Sequence, residues 1–109
     1  MASTHDYIKD SRNENILIYI NGKYFTRSKA SISVFDSGFL LGDGVWEGIR
    51  LHNNTLIHLK EHINRLFHGA KKISLEIHMT KDEIINAIWE TLNKNKMKTD
   101  THIRLIISR

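Results

Sequence analysis

The chain has 109 residues, 40% apolar and 26% charged, which is the usual size of one domain with material for a modest core. It contains no cysteine, which excludes a disulfide framework, a thiolate nucleophile and a cysteine-ligated metal, and no run approaches the roughly 20 apolar residues of a membrane span. The formal charge of +4 comes from 16 basic residues scattered among 12 acidic ones, so it selects no nucleic acid, and a soluble, cytoplasmic protein is expected.

Residues 1–15 are polar, without apolar period or signal-peptide core, and read as a flexible tail preceding a domain over 16–109. Ile16 to Ile20 is β-branched and aromatic, and Asn21-Gly22 followed by Lys23 to Thr26 completes a hairpin signal, because Asn-Gly tolerates the positive φ of a tight turn. Ser31 to Val34 alternates as a short strand. Asp36 to Gly44 carries three glycines among Phe39, Leu40 and Leu41 and reads as a structured loop. Val45 to His52 and Thr55 to His58 flank Asn53-Asn54 as a second hairpin.

From Leu59 the period changes. Ile63, Leu66, Phe67, Ala70 and Ile73 form a helical stripe, with Glu61, Asn64, Arg65, His68 and Lys72 on the other side. Thr80 and Glu83 make a capping box for a second helix that buries Ile84, Ile85, Ile88, Trp89 and Leu92 and ends over Asn93 to Lys98. His102 to Ser108 is a strand whose Leu105-Ile106-Ile107 run is dense enough to need cover on both faces. The order strands, two helices, strand predicts an α+β fold with two helices packed on a mostly antiparallel sheet. An abrupt stop at Arg109, one residue past a strand that wants burial, reads as truncation of a longer chain.

The chemistry-bearing residues are ambiguous one by one. Gly42-Asp43-Gly44 with Gly48 lacks the spacing and the following helix of a dinucleotide loop, and a tight loop entering a strand is favoured. His58 and His62 stand four apart without a third metal ligand, and solvated or capping roles are favoured. Lys94, Lys96 and Lys98 lack aromatic neighbours for base stacking. Arg65 lies away from the centre of the apolar stripe, where it is either a surface arginine or a fork for a phosphate. Trp46, judged by pattern alone, is expected in the core.

Taken together, Val34 to Arg50 (VFDSGFLLGDGVWEGIR) resembles the opening motif of class IV aminotransferases. Leu59 to Leu66 (LKEHINRL) with Ala70 to Ile73 resembles the family's glutamate-histidine helix, and Ile103 to Arg109 the strand leaving its first domain. The family comprises branched-chain and D-amino acid aminotransferases and aminodeoxychorismate lyase, two-domain enzymes that use pyridoxal 5'-phosphate and are usually homodimers. The resemblance implies the small N-terminal domain of the D-amino acid aminotransferase-like fold, without the C-terminal catalytic domain and its Schiff-base lysine. It therefore implies no catalytic and no metal-binding residue here, and no transamination by these 109 residues alone.

By the same resemblance, Arg65 binds the cofactor phosphate, while Trp46, Phe39 and Arg104 face the substrate. Trp46 stands where phenylalanine or tyrosine is usual, Leu41 where an aromatic is common, and His102 at a tyrosine position. The expected reaction exchanges an amino group between an amino acid, branched-chain-like first, and a 2-oxo acid. D-amino acid aminotransferase and aminodeoxychorismate lyase are the enzymatic alternatives, and a non-catalytic module binding anions or a partner is the alternative of another class.

Overall fold

The computed structural model describes residues 9–109. Of the expected tail, residues 1–8 lie outside the described residues. In its remainder Ser11–Asn13 forms one 3₁₀ turn, which Asp10 caps by accepting the Arg12 N–H. The chain divides into two compact units, one up to Ala30 and one from Ser31 to Arg109.

In the first unit, β1 (Leu17–Ile20) and β2 (Lys23–Thr26) pair antiparallel with Ile20 opposite Lys23. Asn21 and Gly22 take φ of 51° and 85°, the left-handed pair expected of a two-residue turn that matches strand twist. Tyr19 and Tyr24 are directly opposed, with ring centroids 5.6 Å apart and edge to face.

The second unit contains α1 (Ser37–Leu41), β3 (Gly44–His52), β4 (Thr55–Leu56), α2 (Leu59–Lys72), α3 (Lys81–Lys94) and β5 (Thr101–Ser108). Its sheet is antiparallel in the order β4-β3-β5, with β3 central and paired to β5 from Gly44↔Ser108 to Leu51↔Thr101. Asn53 and Asn54 both take left-handed φ and close the β3–β4 hairpin. The helices supply Ile63, Leu66 and Ala70 from α2 and Ile84, Ile88 and Leu92 from α3 to a core shared with Ile49 and Leu51 of β3. The capping box is present in full: Glu83 N–H donates to Thr80 Oγ1 at 3.1 Å, and Thr80 N–H donates to Glu83 Oε1 at 3.0 Å. This is the α+β, antiparallel arrangement that the sequence predicts. No helix among the described residues is long and apolar enough to cross a membrane.

Three local expectations change. Ser31 to Val34 forms no strand, because no neighbouring segment pairs with it. The glycine-containing segment holds a turn of helix: Asp36 caps α1 by accepting the Phe39 N–H at 3.0 Å, and Gly42 ends it at φ 65°. The strand expected over Thr55 to His58 stops at Leu56, where the chain turns into α2.

Candidate cofactor and substrate site

Strand alternation divides β3 into two faces with different chemistry. Glu47, Ile49 and Leu51 point to the face that α2 covers and are buried, whereas Trp46, Arg50 and His52 point to the other face and are exposed. A carboxylate in line with two core aliphatics must find donors or be expelled to water. Glu47, only 5% exposed, finds them on α2.

His62 and Arg65 are three residues apart on that helix, hence on neighbouring turns of one side. His62 Nδ1 lies 2.6 Å from Glu47 Oε1. Arg65 approaches side-on: Nε donates to Oε1 and Oε2 at 3.1 and 3.0 Å, and Nη2 donates to Oε1 at 2.8 Å. The Arg65 bonds, outweighing the opposing effect of burial and helped by His62, hold the Glu47 carboxyl below its ordinary pKa, so it is an anion at neutral pH. The same contact raises the Arg65 pKa. The Arg65 side chain is nonetheless 70% exposed, and Nη1 has no partner among the described residues.

On the uncovered face, Trp46 is 58% exposed, which corrects the expectation of core burial: alternation puts it opposite the side that α2 fills. Ile106, its partner on β5, is exposed on the same face, so among the described residues Leu105 to Ile107 is covered on one side only. The Arg104 guanidinium lies over the indole, 4.3 Å from the ring centroid. Stacking uses the π-face of the guanidinium and leaves its in-plane N–H groups available to an acceptor. Gly48, paired with Arg104, makes room for the His102 ring, because a Cβ there would meet His102 Cε1 at 2.8 Å.

Phe39 sits on α1 and is exposed. Asp36 fixes that helix turn against β5, since its Oδ1 accepts the Ser108 hydroxyl at 2.7 Å while Oδ2 caps α1. These bonds hold the Asp36 carboxyl below its ordinary pKa, Ser108 contributing most.

Of the residues singled out from sequence, the structure thus brings Trp46 and Arg104 into contact and places Arg65 on the opposite, helix-covered side of β3. His62, read as solvated or capping, instead contacts Glu47, while His58 occupies the N-cap position of α2 without a side-chain cap bond. Glu47 was missed. The signal for it was present, since alternation puts residues 47, 49 and 51 on one face and a lone carboxylate among buried aliphatics requires a cation nearby.

For a cofactor with a phosphate, Arg65 is the fitting group: a permanent cation, held by Glu47 yet 70% exposed, with Nη1 unpartnered among the described residues.

The profile of the family described as "Amino-transferase class IV" matches residues 44–109. The chain is 47% identical over 92 residues to a protein of Methanocaldococcus jannaschii named "Putative branched-chain-amino-acid aminotransferase", covering 84% of this chain and 32% of that protein. It is 32% identical over 81 residues to the D-alanine aminotransferase of Staphylococcus haemolyticus, covering 74% and 29%. Among solved structures, the branched-chain aminotransferase of Thermoproteus uzoniensis with norvaline superposes with a TM-score of 0.77 at 31% identity, covering 87% of this chain and 34% of that one. The chain therefore spans about a third of the length of these relatives. With the profile matching over more than half its residues, the chain belongs to the class IV aminotransferase family.

Proposed function

We propose that this chain forms the small N-terminal domain of a pyridoxal 5'-phosphate-dependent aminotransferase. The whole enzyme exchanges an amino group between an amino acid, branched-chain-like first, and a 2-oxo acid. The observation that carries the reading is Arg65: its guanidinium is held in place yet 70% exposed, with Nη1 unpartnered among the described residues. Such a fork suits the oxygens of a phosphate dianion.

When bound, pyridoxal phosphate supplies the electron sink for moving the amino group. The residues of this chain bind and orient. Arg65 takes the phosphate, Trp46 offers an apolar wall to the substrate side chain, and Arg104, oriented by its stack on Trp46, meets a substrate carboxylate. Phe39, exposed on α1, is the further apolar residue offered to the substrate. The exposed Trp46, Ile106 and Phe39 support cover by the rest of a two-domain homodimer, which we place in the cytoplasm.

Replacing Arg65 by alanine in the whole enzyme tests the reading. The expected outcome is weaker cofactor binding by spectroscopic titration, together with a lower melting temperature because the buried Glu47 carboxylate loses its main donors. Unchanged affinity would remove Arg65 from the site. The similarity to D-alanine aminotransferases supports a second reading, that the donor is a D-amino acid. A panel of L- and D-donors on the whole enzyme separates the two by stereochemistry.

A further inference from the structure

The guanidinium of Arg65 has two usable edges, and Glu47 occupies one of them. Nε and Nη2 form the edge turned to the carboxylate, at 2.8 to 3.1 Å, which leaves the second hydrogen of Nη2 and the adjacent hydrogen of Nη1 along the outward edge. Glu47 is itself immobilised. Its backbone belongs to central β3, its neighbours Ile49 and Leu51 are fully buried, and His62 holds Oε1 at 2.6 Å from a second direction. A long, exposed side chain with four torsions is thereby kept in one orientation before any ligand arrives.

We propose that Glu47 is a positioning residue for the cofactor phosphate: by clamping the inner edge of Arg65, with His62 steadying the carboxylate, it presents the outer edge to the phosphate oxygens. The proposal rests on the assignment of Arg65 to that phosphate and goes beyond it in naming what orients the fork. Two effects oppose each other here. The negative charge of Glu47 disfavours a phosphate nearby, whereas ordering the fork in advance removes the entropy cost of ordering it on binding. Glu47 is buried behind the guanidinium, and the outer edge is in water, where repulsion is screened. Ordering wins in that geometry.

The test uses the whole enzyme and the ratio of its affinities for pyridoxal phosphate and for pyridoxal, which lacks the phosphate. A defect in general structure lowers both affinities, whereas loss of the phosphate grip lowers only the first. Glu47→Gln keeps shape but removes the charge and one acceptor, and it is expected to lower the ratio about tenfold, the scale of one charge-assisted hydrogen bond. In an Arg65→Ala background it should change the ratio no further, since coupled residues are not additive. Arg65→Lys keeps a cation beside the buried Glu47 carboxylate but cannot offer two edges, and should lose nearly as much as Arg65→Ala. A Glu47→Gln ratio equal to or above that of the unsubstituted enzyme, or a native ratio in Arg65→Lys, overturns the proposal. An unchanged ratio in Arg65→Ala overturns instead the phosphate assignment beneath it.

Discussion

Gly44 and Gly48 lie on the same strand and face β5, yet a methyl group at each meets something different. At Gly44 an added Cβ would come within 2.6 Å of the Ile107 carbonyl oxygen, a backbone atom fixed by the β3–β5 pairing. At Gly48 the obstacle is the tip of the His102 ring, an exposed side chain free to rotate. Gly44→Ala should therefore cost about 1 to 3 kcal/mol in chemical unfolding, the usual scale of overpacking, and Gly48→Ala much less. Equal losses would mean that the His102 ring is held as firmly as the backbone. Glu47 adds a dependence on pH. Its carboxyl pKa is lowered in the fold, first by Arg65, so between the folded value and about 4.5 the unfolded chain binds more protons. The stability that this group contributes is present above pH 4.5 and disappears as pH falls through the folded pKa. Glu47→Gln should flatten that part of an acid titration of the melting temperature, and an unchanged acid limb would show that other carboxylates set it.

Among the elements, α2 was legible from its period, and α3 from its period and its locally written cap. Thr80 and Glu83 specify the start of α3 within four residues, and Thr80→Ala should cost about 1 kcal/mol through loss of the cap, measured by denaturant unfolding. The two hairpins were legible for the same reason, since Asn21-Gly22 and Asn53-Asn54 occur where positive φ is required. Ser31 to Val34 has the alternation of a strand but no lateral partner, and alternation without pairing does not make one. α1 was hidden because one helical turn is too short to display a period. The site follows the same division. Arg65 stood out as a cation beside an apolar stripe, but its clamp joins residues 18 apart in sequence, and the Arg104–Trp46 stack joins two strands. Neither contact is encoded locally; each follows from the β3–β5 register and the packing of α2.

For the molecule as a whole, one side of the central sheet is finished and the other is not. Ile49, Leu51, Ile63 and Leu66 are all at most 1% exposed, and Leu66→Ala should cost roughly 2 to 5 kcal/mol, the range for a buried leucine. On the opposite side Trp46 and Ile106 remain exposed, as do Phe39, Leu40 and Leu41 of α1. The two sides thus differ, the covered one giving the domain its rigidity and the open one carrying the stacked Trp46 and Arg104 proposed above to meet substrate. Arg65 is anchored to the rigid side by Glu47 while its guanidinium remains largely exposed. The most direct measurement is a crystal structure of the whole enzyme with pyridoxal phosphate bound. It should show a phosphate oxygen within hydrogen-bonding distance of Arg65 Nη1 or Nη2 while Nε stays on Glu47. A phosphate held by other groups, with the Arg65 outer edge facing bulk water, would contradict the account.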